Sequence, residues 1–280
     1  MLSKIKSTLS DITVTVGVSP IKTECCDIEY QDARSAVFYA MGRALKEDIV
    51  VAVLLPGAYL PSAYTAMTEA WFQKAKVIIF AFFDSVTDIK VAWADRCVLN
   101  NIIVKLDSID DYSEKIIKCY SMHGPSLISV VDYEIENTRI DYSNWVTAIL
   151  RVNGDAIINC YNSTNSTDVN NIMPRDKYGI VSKYIGMSVA KNCGYLFCTT
   201  ECLLIDINVF RTRYTNGNMK IIVEDDGRLS KNNVESWISS NNWACKTVDN
   251  LDNEVATWFV NQEKQTVLIV NQGAKNVYTY

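Results

Sequence analysis

The chain offers few side chains that could do chemistry directly. His123 is its only histidine and stands before Gly124-Pro125 at the start of a strand-like run. A catalytic histidine needs a nucleophile to activate, and no serine or cysteine elbow accompanies it in the sequence. His123 therefore reads as a loop residue. Nine cysteines are present, at 25, 26, 97, 119, 160, 193, 198, 202 and 245. Several lie inside apolar runs, as in Leu196-Phe197-Cys198, the usual setting of reduced, buried thiols, so a cytoplasmic protein is expected. Cys198 and Cys202, three residues between them, come nearest to a zinc spacing, but no CxxC or Cys/His pair accompanies them and no metal site is expected. Neither GxGxxG nor GxxxxGK[ST] occurs, so no standard glycine cradle for phosphate exists. Leu55-Pro56-Gly57-Ala58-Tyr59 follows a strand and could face a ligand, with Gly57 the candidate contact. The run Asn162–Asn171 is the most loop-like segment, and the sequons at Asn162 and Asn165 matter only if the chain is secreted.

The elements that would position these residues alternate in type. Strand-like runs cover Ile12–Val18, Ile49–Leu55, Lys76–Phe83, Ile102–Leu106, Ser126–Val131, Ala156–Tyr161, Tyr195–Thr199, Met219–Val223 and Val267–Val270. Most are continuous apolar runs, as parallel strands covered on both faces require. Between them, Asp32–Lys46 carries a helical stripe of Ala33, Ala36, Val37, Ala40, Met41 and Ala44. Further helices are expected at Ser62–Lys74, Asp110–Tyr120, Asn233–Asn241 and Asn253–Gln262. This alternation implies an α/β fold of two tandem domains, each a mostly parallel sheet flanked by helices. The polar stretch Glu134–Ser143 breaks the rhythm. The expected organisation is a first domain over 1–135, a linker over 136–148 and a second domain over 149–280, each with four or five strands. Both halves close alike, on Gly124-Pro125-Ser126-Leu127-Ile128 and Lys264-Gln265-Thr266-Val267-Leu268, a faint internal duplication.

Composition narrows the function. With 280 residues and 49% hydrophobic content, ample core material is available. The net charge of -5 gives no basic surplus for phosphate backbones, so nucleic acid is not an expected partner. No run approaches the length of a membrane span, and the N-terminal stretch reads as a helix and strand, not a signal peptide. Six tryptophans and fifteen tyrosines exceed what a small core needs, which suggests an interface.

Four stretches resemble the thiamine-diphosphate enzymes, in particular acetolactate synthase and the menaquinone-pathway carboxylate synthase branch. Asp32-Ala33-Arg34-Ser35-Ala36 through Gly42 is similar to the helix that carries the family's catalytic glutamate. Val50–Gly57 with the helix to Ala70 resembles the strand, glycine turn and Ala-rich helix of the same domain, and Gly124–Asp132 its closing strand. Tyr184-Ile185-Gly186-Met187 through Gly227 resembles the metal-binding part of the diphosphate domain. The resemblance implies a thiamine-diphosphate-binding fold without the family's central domain. It also implies a dimer or tetramer in which the first domain of one chain meets the second of another, and a catalytic paralogue is a further possible partner.

Departures from the family pattern fall at its working positions. Ala33 stands where the glutamate is expected, so no catalytic residue is assigned; an alanine relays no proton. Asp27, Glu29 and Asp32 are nearby carboxylates. Thr199-Thr200-Glu201 aligns with the Gly-Asp-Gly of the metal segment, and Asp225-Asp226 with its Asn-Asn. A Cβ at both glycine positions would crowd a diphosphate, and Thr200 is a poor Mg²⁺ ligand beside a carboxylate. Glu201 with Asp226 could hold a cation, although such acids commonly just solvate a surface. Gly57, Thr199, Thr200, Glu201 and Asp226 are thus the candidate cofactor-facing positions. No cofactor is expected, and thiamine diphosphate with Mg²⁺ enters only if the chain is a divergent carbon–carbon lyase or ligase. The expected function is a non-catalytic subunit or binding protein; a small-molecule module that reuses the cleft is a third class.

Overall fold

The computed structural model describes residues 12–18, 21, 26–92, 94, 99, 101–105, 108, 114, 124–133, 140–161, 170–171, 179–190, 194–211, 218–226, 229 and 233–271. The chain divides into two compact units, 1–137 and 138–280. The α/β class and the parallel sheets expected from the alternation are what the structure contains.

In the first unit six strands form one sheet: β1 (Ile12–Val18), β2 (Ile28–Tyr30), β3 (Val50–Pro56), β4 (Val77–Phe82), β5 (Asn101–Lys105) and β6 (Ser126–Val131). Their order is β2-β1-β3-β4-β6-β5, and every pair is parallel. All residues of β3, β4 and β6 are buried, because helices or loops cover both faces. Helix α1 (Ala33–Glu47) starts where the Asp32 carboxylate accepts the Ser35 N–H at 2.8 Å, and it buries Ala33, Ala36, Val37, Ala40 and Ala44. Helix α2 (Leu60–Phe72) follows a 3₁₀ turn at Gly57–Tyr59 and packs beside α1. Both connect rightward-moving parallel strands, so right-handed crossovers put them on one face. Leu54, Ile78, Phe80, Phe82 and Ile128 fill the other face, and a short helix α3 spans Val86–Val91.

The second unit also has six strands: β7 (Ile158–Cys160), β8 (Asn170–Asn171), β9 (Tyr195–Thr199), β10 (Lys220–Asp225), β11 (Ala244–Val248) and β12 (Thr266–Asn271). Read from β8, their order is β8-β7-β9-β10-β12-β11. Numbered from its own first strand, each unit has the order 2-1-3-4-6-5. The duplication faint in the sequence is thus complete at the level of topology. Helices α4 (Ser143–Val152) and α8 (Asn253–Val260) cover one face of this sheet over Tyr195, Phe197, Ile222 and Leu268. Helices α5 (Ile180–Ala190), α6 (Thr200–Ile205) and α7 (Val234–Ser240) cover the other, over Leu196, Ile221, Val223 and Val267.

Several expectations differ from the structure. Among the described residues each unit has six strands, not four or five; β2, β8 and β11 are short or half-buried edge strands without a continuous apolar run. Within the expected linker 136–148, residues 143–148 are the first turns of α4. The polar residues that suggested a linker are helix-start chemistry: the Asp141 carboxylate accepts the Ser143 N–H at 2.9 Å. Tyr142 and Trp145 are buried against Phe197. Residues 136–139, His123, most of the helix expected at Asp110–Tyr120 and residues 162–169 lie outside the described residues. No helix among the described residues is long and apolar enough to cross a membrane.

Gly194 leads into β9 at φ +74°, and a Cβ there would collide with the Ile157 carbonyl; Gly179 has a similar φ of +76° but open space around it. Left-handed strain alone costs about 1–2 kcal/mol, so Gly179→Ala should lower unfolding free energy by about 1 kcal/mol. Gly194→Ala adds a backbone collision and should cost about 3 kcal/mol or more, measured by urea titration.

Candidate functional site

In each sheet the chain reverses its direction of travel between the first and third strands, β1 and β3 in one unit, β7 and β9 in the other. Open parallel sheets offer a crevice at such a switch point, outside the carboxyl ends of the strands. Gly57 directly follows the third strand of its unit, and Thr199-Thr200 are the last residue of the third strand of the other and the residue after it.

In the first unit the glycine's open side is already filled. A Cβ on Gly57 would overlap the Phe83 ring, which is itself buried at the end of β4. The missing side chain makes room for an aromatic ring of the same chain. Ala33 is fully buried in the first turn of α1. The neighbouring carboxylates are engaged elsewhere. Asp27 accepts from both the backbone N–H and the hydroxyl of Thr15, each at 2.7 Å. Glu29 accepts from the Gln31 amide at 3.2 Å, and Asp32 caps α1.

The second unit brings Thr200 and Asp225 together, at the ends of adjacent strands. The buried Thr200 hydroxyl lies 3.0 Å from the Glu224 carbonyl oxygen and 3.1 Å from Asp225 Oδ1, and shares its one proton between them. Asp225 is fully buried, and the same Oδ1 accepts the Leu229 N–H at 3.0 Å. Its carboxylate thus ties the turn after β10 to the start of α6. Thr199 ends β9 with its hydroxyl 3.4 Å from Cys202 Sγ. Glu201 is half-buried on α6, and Asp226 is exposed on the rim. Among the described residues, no three His, Cys, Asp or Glu side chains are grouped to hold a metal ion.

Two residues at this rim were not singled out in the sequence. Strand alternation puts Glu224 on the face of Ile222, under α4. Burial, and then the charge of Asp226, pushes its carboxyl up to about 7. Tyr142, at the start of α4, is fully buried among Trp145 and Phe197, and its hydroxyl has no hydrogen-bond partner among the described residues. Burial, and then the Glu224 charge, raises its pKa well above the ordinary value. A lone glutamate after Ile-Ile-Val is a readable sign of a charge at a strand's end; nothing in the sequence marks Tyr142. The thiols of Cys160, Cys198 and Cys245 are all raised by burial, Cys160 and Cys245 to about 12, and are therefore poor nucleophiles. Lys220 lies at the opposite end of β10, where its ammonium donates to the Gln262 and Lys264 carbonyls and to Thr266 Oγ1.

Carboxylates gather at this rim: Glu224 near the end of β10, Asp226 just after it, and Glu201 in the first turn of α6.

No protein-family model matches the sequence, and no curated protein is significantly similar to it. Similar solved structures include benzoylformate decarboxylase from Polynucleobacter necessarius, at TM-score 0.38 and 15% identity, over 79% of this chain and 42% of that one. The chain thus spans less than half of that enzyme's length. A putative thiamin diphosphate-dependent enzyme from Mycobacterium smegmatis matches at TM-score 0.38 and 9% identity, over 96% of this chain and 98% of that one. The thiamine diphosphate-dependent 4-hydroxybenzoylformate decarboxylase of Rhodococcus jostii RHA1 matches at TM-score 0.38 and 7% identity, with the same coverage.

The raised Glu224 pKa sets a pH dependence. Its folded value of about 7 lies above the ordinary value of 4.5, so between those values the folded chain binds more protons than the unfolded one. The group therefore costs stability progressively as pH rises from 4.5 to 7, and fully above 7. Glu224→Gln should be more stable than the parent at pH 8, by on the order of 2 kcal/mol after solvent screening, with the difference vanishing near pH 4.5. Urea midpoints across that range check it. Thr200→Val removes one partner of the buried carboxylate and should cost about 1–3 kcal/mol at pH 7.

Proposed function

We propose that the chain is a thiamine-diphosphate-enzyme-like protein whose cofactor and metal positions have degenerated, and that it serves as a non-catalytic subunit or binding protein. The observation that carries this is the hydrogen bonding of Thr200 and Leu229 to Asp225 at the place where the sequence resemblance puts the metal segment. A metal-binding rim turns its oxygens outward toward the ion. Here Thr200 and Asp225 are buried and bonded to the chain itself. Buried Ala33 supports the same reading at the other end of the expected cofactor, where a glutamate would have to act. The partner under this proposal is a second copy of the chain or a catalytic paralogue, and the setting is the cytoplasm.

The test is calorimetric titration of the intact chain with thiamine diphosphate and Mg²⁺ near pH 7. No binding heat is expected up to about 1 mM cofactor. Micromolar affinity would overturn the proposal in favour of a divergent carbon–carbon lyase or ligase. In the variant combining Thr199→Gly, Thr200→Asp and Glu201→Gly, weak binding should appear only with Mg²⁺ present, because the metal must offset the two facing carboxylates.

A further inference from the structure

Four buried side-chain polar atoms among the described residues have no hydrogen-bond partner: Gln31 Oε1, Ser126 Oγ, Ser188 Oγ and Tyr142 Oη. Burying such a group unpaired costs stability, so each calls for a reason. Gln31 still bonds Glu29 through its amide, Ser126 opens β6 at the amino end of its sheet, and Ser188 lies within α5. Tyr142, only 1% exposed, instead stands over the carboxyl ends of β7, β9 and β10, at the switch point of the second sheet. Cys160 ends β7, its register partner Phe197 lies in β9, and both share with Ile222 the face that α4 covers. Glu224, two residues beyond Ile222, belongs to the same face. Its charge acts on the Tyr142 hydroxyl. The Glu224 carboxyl is half-buried, and it too makes no side-chain hydrogen bond or ion pair among the described residues. The crevice thus has a dry end at the phenol and a wet end at the carboxyl.

These two groups specify a complement. The carboxyl accepts hydrogen bonds, and a cationic donor suits it best because Asp226 adds negative charge nearby. The phenol needs an acceptor for its proton. Three rings in mutual contact wall the inner side, with centroids 5.4 Å apart for Tyr142 and Trp145, 5.7 Å for Tyr142 and Phe197, and 6.0 Å for Trp145 and Phe197. Aromatic faces attract cations, not anions. The amino end of α4 would favour an anion, but the Asp141 carboxylate already meets it. A divalent metal ion needs about six oxygen ligands, and among the described residues no three His, Cys, Asp or Glu side chains are grouped to hold one. The complement is therefore a small organic molecule with one ammonium group and one oxygen acceptor.

We propose that Tyr142 and Glu224 form a binding site for a small amino alcohol, whose ammonium donates to the Glu224 carboxylate and whose hydroxyl accepts from Tyr142 Oη. Thr200 and Asp225 lie on the opposite face of the sheet, under α6. The proposal therefore does not rest on the cofactor reading, and its test contains neither thiamine diphosphate nor Mg²⁺.

The intact ¹⁵N-labelled chain is titrated with ethanolamine and with 3-amino-1-propanol near pH 8, where both amines remain largely charged, and binding is followed by NMR. At least one of the two should bind saturably, with a dissociation constant of about 1 mM or less, which is within reach of so small a ligand. Tyr142→Phe keeps the ring and Glu224→Gln keeps the shape. Each should raise that constant tenfold or more with the circular dichroism spectrum unchanged. The matched alkylamine, which lacks the hydroxyl, and the matched diol, which lacks the charge, should also bind at least tenfold more weakly. Absence of saturable binding by either amino alcohol overturns the proposal. So does a constant unmoved by Tyr142→Phe or by Glu224→Gln, or an alkylamine or diol that binds as tightly.

Discussion

The buried carboxylate of Asp225 is the constraint on which the second unit's rim depends. A carboxyl group out of water must be met by donors, and those described here include the Thr200 hydroxyl and the Leu229 N–H. Both come from segments that leave neighbouring parallel strands, so satisfying one side chain fixes the start of α6 and the turn after β10 together. The neighbouring rim group responds to the same setting. Glu224 shares the strand end, lacks a donor of this kind among the bonds described, and is driven toward its neutral form by burial and by Asp226.

Most of the architecture was readable because parallel strands covered on both faces have no choice of pattern. Val50–Pro56, Val77–Phe82 and Ser126–Val131 are buried at every residue, and such runs show without any periodicity. Edge strands escape that rule. Ile28–Tyr30 and Ala244–Val248 are only half covered, and they pair through backbone groups that side-chain pattern does not reveal. The region between the units misled for a different reason. Asp141 and Ser143 are polar because a helix begins there, and the burial of Tyr142 and Trp145 is a tertiary contact with Phe197, far away in sequence.

The candidate site was legible as a place but not as a state. Strand-end positions put Gly57, Thr199 and Thr200 beside the switch points of their sheets. What occupies the space was not readable. The ring over Gly57 belongs to Phe83, a strand away, and the partner of Thr200 is Asp225, across two strand ends. Both are long-range contacts that no local spacing encodes. Tyr142 illustrates the limit, since its proximity to Glu224 arises only when α4 folds back over the sheet.

The two units share the strand order 2-1-3-4-6-5, and the turns after their third strands are packed by different means. In the first, an aromatic ring fills the space that a glycine opens; in the second, a hydroxyl and a carboxylate bond each other. Each arrangement is also coupled to stability. Displacing the Phe83 ring would expose buried apolar surface, and replacing Thr200 by an acid would set two carboxylates together where one now stands. Changing either turn therefore requires rebuilding core packing or charge balance as well as exchanging one residue.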